Sequence, residues 1–397
     1  MPELSKKLTN FTDSVIRRMT RIANQHGAVN LSQGFPDFDP PQALKEALAN
    51  VASGSIHQYA VTWGAPNFRK ALAKKQSFFM GIEIDPETQI AVTCGSTEAM
   101  IASMLTVCNP GDKVIVFSPF YENYTADTIL SGAIPIYVHL KPPYYNFDVE
   151  ELEAAFQQKP KALILCNPSN PSGKVYTLEE LQIIAAYAIK YDVFVITDEV
   201  YEHIVYEPFH HVYIASLPGM FERTISCSSL SKTYSITGWR LGYVIAPAFI
   251  IDGVRKVHDF LTVGAASPLQ EAAITALEFG PDYYLQLQKS YTEKKDFFLK
   301  GLDDLGLKFT IPQGAYYVMV DVSEFGASND VEFCEWLACE VGVAAVPGSS
   351  FFQEEVHHLI RFHFAKNLET LSSALKALEN LRPLAEKKIW SKQTLAD

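Results

Sequence analysis

From residue 90 to about residue 250 the chain alternates short β-branched apolar runs with amphipathic stretches. IAVTC (90–94) precedes STEAMIASMLTVC, whose apolar spacing fits a helix, and KVIVFS (113–118) follows. IPIYVHL (134–140), the helical DVEELEAAF, KALILC (161–166), the helical TLEELQIIAAYAIKY and DVFVITD (192–198) continue the alternation. TISCSS (224–229) and LGYVIAP (241–247) complete seven strand-like runs. Strands without polar alternation, separated by amphipathic helices, predict an α/β fold: a mainly parallel seven-stranded sheet with helices on both faces. Such sheets bind ligands outside the carboxyl ends of their strands, so the polar residues clustered there are the candidates for chemistry.

The pattern changes towards the C-terminus. A long helical stretch, YLQLQKSYTEKKDFFLKGLDDLG, leads to KFTIP, the alternating GAYYVMVDV, a further helix, VAAVPGSSF and LIRFHFA. This predicts a smaller α+β unit over 286–397, beside a large domain over 46–285 and an N-terminal arm over 1–45 that joins the smaller unit.

Composition narrows the function. The 397 residues are 48% hydrophobic and 20% charged, as in a globular protein. A net charge of −12 argues against nucleic acid or an anionic membrane as partner. No run of about 18 apolar residues predicts a membrane span, and MPELSKKLTNFTDSVIRRM lacks the apolar core of a secretory signal. A cytoplasmic protein is the expectation. Cys94, Cys108, Cys166, Cys227, Cys334 and Cys339 form no C-x-x-C pair and are expected as buried free thiols. His210–His211 and His357–His358 lack metal-ligand spacing and are expected as exposed loop residues; no metal is expected. Neither G-x-G-x-x-G nor a P-loop occurs.

Four polar groups lie just past predicted strands: GST (95–97), NPSNPSG (167–173), DEVY (198–201) and SSLSK (228–232). Singly they read as a helix cap, a turn, a cap and a surface loop. At one sheet edge they combine a helix N-terminus, hydroxyls and Arg240 for a phosphate, an aspartate for a protonated ring nitrogen, and Lys232 for an aldehyde. Phosphate, aromatic nitrogen and aldehyde together describe pyridoxal phosphate.

S-x-S-K-T-Y-x-x-T-G-W-R-x-G around Lys232, with Asp198 following Asn170 by 28 residues, resembles the fold-type I, pyridoxal-phosphate-dependent aminotransferases of class I/II. NLSQGFPDFDPP, HQYAVTWGAPNFRKALA and IRFHFA are similar to the branch with methionine and kynurenine (glutamine) aminotransferases. The resemblance covers essentially the whole chain. It implies that Lys232 bonds the cofactor and shuttles the substrate proton, and that Asp198 keeps the ring nitrogen protonated. It places Asn170 and Tyr201 on the ring hydroxyl, and Tyr121 on the ring face. Ser96, Thr97, Ser229, Ser231 and Arg240 are implied at the phosphate, with Tyr59 reaching the phosphate of a second subunit in a homodimer. Arg361 is implied on the substrate α-carboxylate, with Asn170 and the Gly34 backbone. The expected reaction is ping-pong amino transfer from an L-amino acid to a 2-oxo acid. A carbon–sulfur β-lyase, a kynurenine transaminase and an aspartate or aromatic aminotransferase are the alternatives; a cofactor-binding regulator without turnover is the rival from another class. Ile16 and Phe35 predict an apolar side-chain pocket suited to methionine, glutamine or aromatic donors, and no second cation for a dicarboxylate is legible.

Overall fold

A computed structural model describes Ser5 and residues 14–327 and 329–390. Most of the first thirteen residues of the expected arm therefore lie outside the described residues. The strands are β1 (Val29–Asn30), β2 (Ile90–Thr93), β3 (Lys113–Ser118), β4 (Ile134–Lys141), β5 (Asn146–Phe147), β6 (Ala162–Cys166), β7 (Phe194–Asp198), β8 (Thr224–Ser229), β9 (Gly242–Ile245), β10 (Lys308–Phe309), β11 (Tyr317–Asp321), β12 (Val343–Ala344), β13 (Val346–Pro347) and β14 (Leu359–His363).

The large sheet has the order β2-β9-β8-β7-β6-β3-β4-β5. Its seven long strands are the seven apolar runs, and two-residue β5 returns antiparallel along β4 at one edge. Neighbours from β8 through β4 are parallel, while β9 runs antiparallel to both β8 and β2. Alternate residues of β3 explain the unbroken apolar runs. Ile115 and Phe117 join a core with Leu152 and Leu181 from two helices, and Val114 and Val116 join another with Ala99 and Ile251 on the opposite face. Both faces are buried, so neither side of a strand has a polar alternate.

The smaller sheet has the order β10-β11-β14-β13. β1 pairs in parallel with β12, and Met19, Ala23 and Leu31 share a core with Phe298, Phe333 and Phe362. Among the described residues no helix is long and apolar enough to cross a membrane.

Candidate active site

A cavity of about 710 Å³ opens at the carboxyl ends of β6, β7 and β8. Ile16, Gly34, Phe35, Ser96, Thr97, Tyr121, Asn170, Asp198, Tyr201, Ser231, Lys232, Arg240 and Arg361 line it. Of the residues singled out from sequence, Ser229 and Tyr59 do not. Ser229 lies behind the wall, where its Oγ accepts from the Ser231 amide at 3.3 Å. Tyr59 is 86% exposed on the outer surface.

The loop after β8 explains why Lys232 faces the cavity. Leu230, Tyr234 and Ile236 are buried in one apolar core, and the Tyr234 hydroxyl meets that of Tyr284 at 2.8 Å. These anchors hold successive turns that leave Ser231 and Lys232 on the cavity side. Lys232 Nζ donates to the Gly34 carbonyl at 3.1 Å. Burial pushes its pKa down to about 8, with Arg240 and Arg361 adding to the fall and Asp198 opposing it.

Asp198 ends β7, buried, and accepts from the Tyr124 hydroxyl at 2.8 Å. Burial raises its pKa against that bond and the nearby Lys232 charge. Among the described residues it makes no ion pair, so a cation at this strand end would restore its charge. Arg361 on β14 is 1% exposed and donates to Asn170 Oδ1 at 2.6 Å and the Ser32 carbonyl at 2.9 Å. Tyr317 and Phe351 flank its guanidinium with ring centres at 4.2 and 4.6 Å. Its Nε has no partner, and no carboxylate pairs with it among the described residues. A buried guanidinium without an anion is costly, and its planar fork suits a carboxylate.

At the other end, the helix Ser96–Val107 starts from Gly95 at φ 86°. A Cβ on Gly95 would lie 2.2 Å from Arg240 Nη2, and one on Gly242 would lie 2.3 Å from the Gly95 carbonyl carbon. Both positions must be glycine for β9 and the arginine to approach this helix start. Arg240 itself has a left-handed backbone, φ 54°, and is anchored by Nη1 to the Thr237 carbonyl at 2.9 Å. Exposed amides, hydroxyls and a guanidinium converge here, a donor set for a phosphate. Cup, carboxylate and lysine fit pyridoxal phosphate, and the buried Arg361 fits an α-carboxylate beside it.

Residues 26–378 match the family model for aminotransferase class I and II. The chain belongs to this family. It is a transaminase by descent: a methionine aminotransferase of Escherichia coli (strain K12) is 38% identical over 376 residues, 94% of this chain and 97% of that protein. Human kynurenine–oxoglutarate transaminase 1 is 36% identical, covering 89% of this chain and 92% of its own. A solved E. coli structure identified with a methionine aminotransferase function superposes with a TM-score of 0.91, covering 96% of this chain and 100% of its own at 38% identity. Class I and II aminotransferases are in general dependent on pyridoxal phosphate.

Several residues of this aminotransferase's site had no assignment from sequence. Tyr124 was within reach, three residues past Tyr121 in SPFYENY. Tyr317, whose hydroxyl meets that of Tyr201 at 2.8 Å, comes from a distant strand. Arg17, also in the wall, is a cation that the sequence pattern did not mark, and Glu122 lines the wall as well. Two expectations are corrected. The His211 ring is buried, edge-on to Tyr213 at 4.4 Å and 3.8 Å from buried Glu199, which offers a polar neighbour inside; His210 and His358 are exposed as expected, and His357, less open, stands 3.5 Å from buried Asp330. All six cysteines are free; Cys108, Cys227 and Cys334 are buried and Cys94 and Cys166 partly so, but Cys339 is exposed because it falls on the outer side of its helical turn. Among the described residues no group of three or more His, Cys, Asp or Glu is placed to hold a metal.

Proposed function

We propose that this aminotransferase holds pyridoxal 5'-phosphate in the cavity and moves the amino group of an L-amino acid, of methionine, glutamine or aromatic type, to a 2-oxo acid by a ping-pong mechanism. The observation that carries this reading is Arg361, buried, stacked and without an anion, in one cavity with a lysine whose pKa lies near 8. Bound there, the cofactor supplies an aldehyde that exchanges amines and a ring that delocalises the electron pair left when the substrate Cα loses its proton.

The chain's own residues do the rest. Arg361 and Asn170 orient the α-carboxylate, which fixes the Cα–H bond relative to Lys232. With a pKa near 8, about a tenth of Lys232 is unprotonated at pH 7, against about one part in three thousand for an ordinary lysine. Its Nζ can therefore take the proton from Cα and return it on the far side of the substrate nitrogen, which moves the amino group. Asp198 would hold a proton on the ring nitrogen, and Tyr124 keeps that carboxylate aimed. Tyr121 would stack on the ring, Tyr201 and Asn170 would meet the ring hydroxyl, and Ser96, Thr97, Ser231 and Arg240 would hold the phosphate.

Ile16 and Phe35 give the side-chain pocket its apolar wall. Arg17 is exposed, so its charge is screened by solvent, unlike that of buried Arg361. Uncharged donors should therefore outcompete aspartate. The test is kcat/KM for methionine and aspartate with a common oxo acid; aspartate ahead by about tenfold, the scale of a single side-chain contact, would overturn the donor assignment.

A homodimer is part of the reading. Ile56, Tyr59 and Val61 are exposed, as are Phe260 (92%), Leu261 and Val263, and Thr62 Oγ1 approaches Asp259 Oδ1 at 3.5 Å between the two groups. A contiguous exposed apolar patch marks an interface, and Tyr59 within it would reach the phosphate of the second subunit. Residues 1–45 and 286–397 would act as one smaller body against 46–285, supported by the β1–β12 pairing and the core they share.

A further inference from the structure

Glu98 sits one turn into the helix whose N-terminus forms the phosphate end of the cavity, and it lines the cavity. A carboxylate in that place opposes a phosphate. Its surroundings show how the charge is managed. Glu98 Oε2 accepts from the Cys94 amide at 2.5 Å, while Oε1 accepts from Thr262 Oγ1 at 2.8 Å and lies 2.6 Å from His258 Nδ1. The His258 ring is fully buried, and its Nε2 lies 3.0 Å from the Thr62 carbonyl oxygen. Burial works against the Glu98 charge, but the His258, Cys94 and Thr262 contacts hold its pKa below the ordinary carboxylate value, so it is ionised and, like a peptide carbonyl, can only accept. A ring with both nitrogens against acceptors must carry a proton on each, so this histidine is an imidazolium.

We propose that His258 is a positioning residue for the phosphate cup: as a buried cation it neutralises Glu98 and locks that carboxylate onto the Cys94 amide, so that the helix start faces its anion without a competing charge. The inference rests on the reading that the cavity takes pyridoxal phosphate. The cation also ties the cup to the turn around Thr62, three residues past Tyr59. Burial lowers the pKa of His258, but the Glu98 and Thr62 contacts outweigh it and leave it above the ordinary histidine value, with the adjoining Asp259 adding a little. The other ionisable groups near this cluster are Cys94, beside Glu98, and Arg240, which acts on Cys94.

The sign follows from the charge. As pH rises through the raised His258 pKa, the cation is lost, Glu98 is left uncompensated, and phosphate retention weakens. The test follows the rate at which purified holoenzyme loses its visible cofactor absorbance on dialysis, between pH 6 and pH 10, for wild type, E98Q, H258Q and E98Q/H258Q. H258Q should lose cofactor about tenfold faster at pH 7, because breaking a buried pair leaves one charge stranded. The double variant should return to within about twofold of wild type, and E98Q should retain cofactor at least as well while lacking the wild-type pH step. An H258Q rate equal to wild type, or a double variant no better than H258Q, overturns the proposal, since a purely steric role would not be rescued by removing Glu98's charge. Should H258Q not fold, the same pH step in E98Q as in wild type overturns it and its absence upholds it. Wild-type protein that takes up no pyridoxal phosphate would overturn the proposed function instead.

Discussion

Lys232 is set apart from an ordinary lysine by where its neighbours hold it. Burial lowers its pKa to about 8, and that depression predicts how protein freed of cofactor captures pyridoxal phosphate at different pH. Only the unprotonated amine attacks an aldehyde, so the capture rate should rise about tenfold per pH unit below 8 and level off above it. Rapid-mixing absorbance checks this, and a rise continuing to pH 10 would mean the lysine is not depressed. Lys232→Ala should keep the fold, as judged by far-ultraviolet circular dichroism, and lose both visible cofactor absorbance and transamination. Arg361→Lys keeps the charge but not the fork, and should lower kcat/KM for methionine about a hundredfold, within the range of a charged, bidentate contact; a loss under about threefold would place the carboxylate elsewhere. At this scale the sequence was most legible where the site is contiguous. SSLSK and Arg240 stand in one short stretch, whereas Tyr317, Arg17 and His258 arrive from other elements through the fold. No local pattern marks a buried histidine as a cation; only its two acceptors do.

The elements divide by how much pattern each contains. The seven long strands were readable because both sheet faces are buried, which leaves continuous apolar runs bounded by turn residues. The two-residue strands β1, β5 and β12 are too short to carry any period, so the edge hairpin and the β1–β12 pairing that fastens the arm had no signal in the sequence. One junction between elements is testable. A Cβ at Gly242 on β9 would strike the backbone of Gly95 and Ser96, at 2.3 and 2.6 Å, and backbone cannot rotate away. Gly242→Ala should therefore push the helix start off the cup, costing about 1–3 kcal/mol of stability in urea unfolding and loosening the cofactor. Unchanged stability and cofactor retention would mean that β9 and the helix are not in contact as described.

The whole molecule combines a deep polar cavity with an exposed apolar patch around Tyr59 and Phe260. Burying that patch in a homodimer predicts that sedimentation gives the mass of two chains at micromolar concentration and that Phe260→Asp shifts it towards one; a wild-type monomer would contradict the shared site. Fold class and cavity location were readable from the strand ends, but the wall around Lys232 is completed by Ile16, Phe35, Tyr317 and Arg361 from distant parts of the chain, and selectivity rests on how these come together. That property belongs to the assembled molecule. The central claim, reversible amino transfer at this one cavity, is tested most directly by mixing holoenzyme with methionine and no oxo acid. The account predicts release of about one equivalent of the methionine-derived 2-oxo acid per chain, as expected when the amino group stays on the enzyme, with turnover resuming only when a second oxo acid is added. No oxo acid at all, or continuous turnover releasing ammonia without any acceptor, would contradict it.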